Sequence, residues 1–233
     1  MLLLTTSRAA IRFPSCGLDS APLQSYPIIS FIGKMRRASR MPETIHLWGE
    51  VLCLDYANTV DWSLDDKHLH PEQTDVLRTP DTLGRWGQRL DLLNDATFAS
   101  TDELCHARVL RDAVHRLFSS ISRGEEPSNK DLEVLMSNYT EAVKHASLLA
   151  SENVYKLDWL AHDPRRIRYA VATDAVALLS DPRRLTRVSR CPGRGCGWLF
   201  LNTSGRRRWC SMTTCGSRDK MRRLHQRRTQ HTD

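Results

Sequence analysis

The 233-residue chain has no apolar run approaching the ~18 residues that a membrane-spanning helix needs. It also has no glycine-rich phosphate loop, no nucleophile elbow and no pair of carboxylates in a catalytic setting. Gly84-x-x-Gly87 is too short to carry a phosphate site. Seven cysteines are too few to scaffold a chain of this size with disulfides. Four of them cluster, while Cys16, Cys53 and Cys105 lie far apart, a pattern that fits a reducing cytosol and a metal. Cys53 and Cys105 fall in apolar surroundings and read as buried thiols. With no catalytic constellation legible, the expectation is a protein that is not an enzyme.

Charge of either sign is plentiful but unevenly placed. Residues 183–233 hold 14 Lys/Arg against 2 Asp/Glu, whereas residues 41–182 hold 14 against 24. Residues 1–40 hold 6 against 1. An acidic body with a strongly basic end implies a polyanionic partner met at that end, with nucleic acid the leading candidate and no membrane.

The organisation follows the same division. Residues 1–40, with scattered Arg, Pro, Ser and Gly, read as disordered or as an over-long start before Met35 or Met41; their Arg/Ser bias is also compatible with a transit peptide. Residues 41–182 read as a mainly helical domain. Glu50–Tyr56 is a short apolar run that periodicity alone does not assign to strand or helix. Asp55 and Asn58 lie in that apolar setting. They read first as groups hydrogen-bonded within the fold, with ligand binding as the sharper alternative. His68-x-His70 has no Cys or carboxylate at helical spacing beside it and reads as a solvated loop.

Helices then dominate. Thr79-Pro80-Asp81 opens one, Thr101 opens a second that Gly124 stops, and Ser128 or Asn129 opens a third. The third carries an apolar stripe from Leu132 through Val143, Ala146 and Leu149. His106, His115 and His145 share no evident face. Tyr155–Trp159 alternates like a half-buried strand, and Asp163-Pro164 opens a further helix through Ile167, Val171, Ala175 and Leu178 that ends near Asp181-Pro182.

The informative stretch is Cys191–Cys215, CPGRGCGWLFLNTSGRRRWCSMTTC. Two C-x4-C pairs bracketing a hairpin-like segment supply the four thiolates of a closed tetrahedral zinc site: Cys191, Cys196, Cys210 and Cys215. A closed site leaves no position for water, so the expected zinc is structural and single. Gly197–Leu201 reads as a strand and Arg206–Trp209 as its returning partner, after which Ser217 or Asp219 caps a helix. Knuckle, hairpin and helix form a treble-clef-type arrangement. The fold class is therefore α+β: a mainly helical N-terminal domain (41–182), a small four-cysteine zinc finger with a basic helix (183–228), and a short tail (229–233).

At these residues the chain resembles a known family. Cys191 to Arg218, with GWLF, RRRWCSM and the CG-x-R ending, is similar to the CGNR zinc finger of bacterial proteins, which usually follows an ABATE domain. The run Leu52–Val60, LCLDYANTV, resembles the LDF-x-NT start of that domain. Ser217 stands where the family's name-giving Asn is found and Asn202 where an Asp is common; the four cysteines and Arg218 follow the pattern. The resemblance implies a stress-induced transcription regulator whose finger binds DNA. The basic residues fit it: Arg206, Arg207, Arg208, Arg218, Lys220, Arg222, Arg223, Arg227 and Arg228 lie on or just after the zinc scaffold, and arginine pairs bidentately with phosphate and reads guanine. The expected partner is duplex DNA, in the cytoplasm and at the nucleoid, with signal sensing through a small-molecule effector, or homodimerisation, left to the N-terminal domain. The rival reading is a zinc-stabilised protein-interaction module without direct DNA binding.

Overall fold

Local chemistry sets several helix starts and stops in the computed structural model, which describes residues 47–60, 75–94, 99–151 and 154–229. The readings made for residues 1–40, for His68 and His70, and for most of the tail lie outside these residues. The apolar run after Glu50 is a short helix, α1 (Leu52–Ala57). Helix α2 (Pro80–Arg89) starts in a capping box between Thr79 and Thr82, with Pro at the first helical position. Helix α3 (Thr101–Ser122) is capped by Ser100, whose hydroxyl accepts from Glu103 N, and gives way at Gly124, φ 73°. Helix α4 (Asn129–Lys144) is capped by Ser128.

Here one expectation fails. The stripe read through Ala146 and Leu149 does not continue the helix, which stops at Lys144. Leu149 lies instead in β1 (Ser147–Ser151), antiparallel to β2 (Val154–Asp158) with Leu148 opposite Leu157 and Leu149 opposite Lys156. The apolar side chains of this hairpin gain little from burial: Leu148 is 67% exposed and Tyr155 75%. Tyr155 therefore stands in a strand, as its alternation implies, but on an open one. Helix α5 (Arg166–Leu179) begins two residues later than Asp163-Pro164 implies. Asp163 Oδ1 accepts from Arg165 N (2.9 Å) and closes a turn ahead of it, and the helix has no side-chain cap of its own. The single turn α6 (Pro182–Leu185), capped by Asp181, follows.

The core forms where α3 packs against α1, α2, α4 and α5. Leu104, Ala107, Leu110, Val114, Leu117 and Phe118 of α3 are buried together with Tyr56, Trp86, Ile167, Val171 and Leu178. Each buried side chain of this size stabilises the fold by about 1.5–3 kcal/mol. Tyr56 and Trp86 meet edge to face at 5.1 Å, and the Tyr56 hydroxyl donates to Ala107 O (2.8 Å). One buried charge pair lies inside the domain where the Arg168 guanidinium donates to both oxygens of Glu103 (2.7 and 2.8 Å) and to Asn138 Oδ1 (2.6 Å).

The finger is built onto this core. Strand β3 (Val188–Arg190) pairs antiparallel with β4 (Leu199–Leu201), Val188 opposite Leu201 and Arg190 opposite Leu199. Val188, Leu199 and Leu201 belong to the same buried cluster as the helices. The Asn58 amide closes the seam like a short strand: Nδ2 donates to Leu199 O (2.8 Å) and Oδ1 accepts from Leu199 N (2.9 Å). Leu201 N donates to Gly49 O (3.0 Å), and Gly49 N donates to Asp55 Oδ1 (2.7 Å). A Cβ on Gly49 would lie 2.6 Å from Asp55 N, so only glycine fits between α1 and β4.

Truncating Asn58 leaves two buried backbone groups of Leu199 without partners, each costing about 1–3 kcal/mol. Asn58→Ala is therefore predicted to destabilise the zinc-loaded protein by about 2–4 kcal/mol in urea unfolding. In the parent chain, tryptophan fluorescence and zinc release should report one coincident transition, because domain and finger share a core.

Candidate metal centre

Each pair of cysteines is held by backbone geometry. The first sits in the knuckle between β3 and β4, where Cys191 N donates to Trp198 O (2.9 Å) and Cys196 N to Gly193 O (2.9 Å). A Cβ on Gly193 would lie 3.0 Å from Cys215 Sγ, so this position faces the cage with no room for a side chain. The second pair spans a π-helical turn, Met212–Gly216, that runs directly into α7 (Ser217–Thr229). Ser217 Oγ donates to Met212 O (2.9 Å) and ties that turn to the start of the helix. This is a knuckle, a two-stranded sheet and a helix, but with a different pairing from the one expected. The partner of β4 is Val188–Arg190, ahead of the first cysteine, and Arg206–Trp209 forms no strand.

The four sulfurs lie within 4.8 Å of one another, with Cys210–Cys215 at 3.6 Å and Cys196–Cys210 at 3.9 Å. Four thiolates about 2.3 Å from one zinc ion stand about 3.8 Å apart in a tetrahedron, which these spacings match. The donor set itself calls for a dication. Hydrogen bonds from the Cys196 and Cys210 thiols hold Cys191 down to about 2. The reciprocal bond to Cys191 pushes Cys196 up to about 12, and bonds to Cys191 and Cys196 drive Cys210 well above the ordinary thiol range. Four sulfurs this close ionise together only around a cation. Cys191, Cys210 and Cys215 are buried, as are Phe200 and Trp209 beside them, with Trp48 and Trp198 packed against the cluster 5.2 Å apart. The cysteines hold one structural zinc ion, and no open coordination position remains for a reacting group.

Among the nine basic residues singled out from sequence, Arg207 has an inward role. Its Nη1 donates to Glu50 Oε1 (2.6 Å), Nη2 to Trp48 O (2.7 Å) and to Cys210 O, and Nε to Trp209 O (3.1 Å). The guanidinium also stands 4.4 Å from the Phe200 ring centroid. Arg207 thereby fastens the second cysteine pair to the segment ahead of α1. Glu50, whose φ of 66° is unusual for a residue with a Cβ, also accepts from Thr203 Oγ1 (3.1 Å). Arg206, Arg208, Arg218, Lys220, Arg227 and Arg228 are exposed. Arg222 and Arg223 are about half exposed and both pair with buried Asp219 of their own helix. Arg208, Lys220, Arg223 and Arg227 line a groove of about 370 Å³ whose floor includes Trp209.

The two residues considered for ligand binding are committed to the fold. Asn58 is saturated by Leu199, and Asp55 by the Gly49 amide. Burial pushes the Asp55 carboxyl up to about 6, opposed by the Gly49 hydrogen bond and by Arg207. Sequence reasoning left His115 without a role; its Nε2 donates to Gly197 O (2.8 Å), and burial lowers its pKa to about 4, so the ring is neutral. Its sequence signal is weak, because the partner is a backbone carbonyl 82 residues away.

Comparison with protein families agrees with this geometry. Residues 50–182 match the ABATE family, described as "Putative stress-induced transcription regulator", and residues 187–228 match the CGNR zinc finger. A search of curated proteins returns no match.

Elemental analysis should find about one zinc per chain, and Cys210→Ser should lose it. Asp55 gives a test by pH. Its folded pKa lies above the unfolded value of 3.8, so its contribution is full below that value and is lost as pH rises through about 6. Asp55→Asn keeps the acceptor for Gly49. It should therefore raise the melting temperature by a few degrees at about pH 7.5, the gain disappearing by about pH 4.

Proposed function

The chain belongs to the ABATE family and carries a CGNR zinc finger, and on that premise we propose that it is a transcription regulator whose finger binds duplex DNA. The observation that carries this reading is α7. It holds six Lys/Arg against one Asp, and every side chain from Lys220 to Arg228 is exposed. Its N-terminus is anchored by the zinc turn, so the cations stand on a fixed scaffold and approach phosphate without an ordering penalty for the backbone. The groove beside it sets Arg208, Lys220, Arg223 and Arg227 around Trp209 and suits a sugar–phosphate strand. Cytoplasmic, nucleoid-associated action follows from that partner. Arg207 is left out of the contact set, since its donors are turned to the Glu50 carboxylate and to the carbonyls of Trp48, Trp209 and Cys210.

A second reading has one observation in its favour. Met212, Met221 and Leu224 are 70%, 65% and 40% exposed on the same turn and helix, which suits a protein partner. The N-terminal domain supplies sensing or a dimer contact. Ser147–Ser151 reads nearly the same in both directions, so two copies of the chain can pair antiparallel about Leu149, apolar residue against apolar residue.

For the zinc-loaded full chain, duplex affinity should fall about a thousandfold between roughly 50 and 200 mM salt if about six phosphates are contacted. Replacing Arg222, Arg223, Arg227 and Arg228 with Ala should abolish sub-micromolar binding while zinc is retained. Arg207→Ala should instead lower the melting temperature and weaken zinc retention. Zinc-replete protein that binds no duplex at low salt, but captures a partner through Met221 and Leu224, would favour the interaction module. Sedimentation should give a dimer that Leu149→Lys converts to monomer.

A further inference from the structure

A cavity of about 640 Å³ opens where three elements meet: the second half of α3, the start of α4, and β3 just before Cys191. The body of the chain is acidic, yet this cavity is lined by Arg116, Arg123, Lys130 and Arg190 against only Glu126 and Asp131. Two of the cations have carboxylate partners: Arg116 is bidentate to Asp131 (3.0 and 3.3 Å from Nε, 2.6 Å from Nη2), and Arg123 holds Glu125 (2.8 and 2.6 Å). Lys130 and Arg190 form no ion pair among the described residues. They stand on opposite components of the protein, Lys130 in the first turn of α4 and Arg190 at the end of β3.

A third residue of the lining, on α3, is an orphan donor. Ser119 is 5% exposed, lines the cavity, and its hydroxyl has no hydrogen-bond partner. A buried hydroxyl without a partner costs about 1–3 kcal/mol, which a bound acceptor would recover. The amino end of α4, a 16-residue helix capped by Ser128, adds its positive dipole end on the same side.

We propose that this cavity binds a phosphorylated small molecule, its phosphoryl group held between Lys130 and Arg190 and accepting from Ser119. A tetrahedral oxyanion takes donors from several directions, as an ammonium, a guanidinium and a hydroxyl on three walls require. The volume leaves room for an organic group beyond the phosphate and lies within the usual range of small-ligand sites. Because Arg190 adjoins Cys191, the ligand bridges the helical domain and the finger. Its use as an effector site rests on the regulator reading above, whereas oxyanion binding does not.

The test contains no DNA, so its outcome is independent of that reading. Zinc-loaded full-length chain is melted with inorganic phosphate, and with sodium chloride or succinate at the same ionic strength. Phosphate should raise the melting temperature in a saturable way, with chloride and succinate giving at most a third of the shift. Lys130→Gln with Arg190→Gln should remove the phosphate shift, while Arg208→Gln with Arg227→Gln, in the finger groove, should keep it. Ser119→Ala should leave the melting temperature without phosphate unchanged or higher and weaken the apparent phosphate affinity at least threefold. A merely structural Ser119 would leave that affinity untouched. The proposal is overturned by a phosphate shift no larger than that of chloride or succinate, by its persistence in the Lys130/Arg190 double variant, or by an unchanged phosphate affinity in Ser119→Ala.

Discussion

The reciprocal hydrogen bonds between the Asn58 amide and the Leu199 backbone are the constraint on which the architecture depends. They extend a finger strand onto the end of α1, and Gly49 continues the same seam on Leu201. Once the seam is closed, Val188, Leu199 and Leu201 complete the helical core, and the helices in turn fix one side of the zinc knuckle. The finger is therefore no tethered bead. Helix α3 touches the finger directly, through the His115–Gly197 hydrogen bond and through the cavity wall that it shares with Arg190.

The zinc cage solves a second problem, the control of repulsion. Residues 183–233 carry 14 Lys/Arg, and a small module cannot bury that charge. The fold separates the cations by role. Arg207 turns inward to five acceptor and ring contacts around Cys210, and Asp219 holds the heads of Arg222 and Arg223 on one side of α7. The rest project outward. A net charge of about −2 on a zinc tetrathiolate favours this crowd of guanidinium groups around it.

Much of this was legible in the sequence where local chemistry decides the outcome. Thr79, Ser128 and Gly124 marked helix ends because capping and positive φ act within one turn, and the paired cysteine spacing fixed the metal. The helical domain and the four-cysteine finger are present as expected. What escaped were features set by distant partners. Leu149 continues a helical spacing, yet the chain turns after Lys144 into a hairpin that presents its apolar residues to solvent, so burial periodicity was a false guide there. The partner of β4 lies before the first cysteine because the turn at Gly193 and Gly195 brings Val188–Arg190 alongside, whereas Arg207 is turned inward by Glu50 and Trp48 O, 157 and 159 residues away, which no local pattern announces. Asp55 and Asn58 read first as internally hydrogen-bonded, as they are, but their partners Gly49 and Leu199 were not legible, because Leu199 lies 141 residues from Asn58.

The central claim is that zinc holds an arginine-rich surface in the shape that grips duplex DNA. The most direct measurement is duplex binding by the full chain at about 50 mM salt, before zinc chelation, after it, and after zinc is restored. The account predicts binding that is lost with the metal and regained with it. Binding that persists unchanged in metal-free protein, or none at all with zinc confirmed in place, would contradict it.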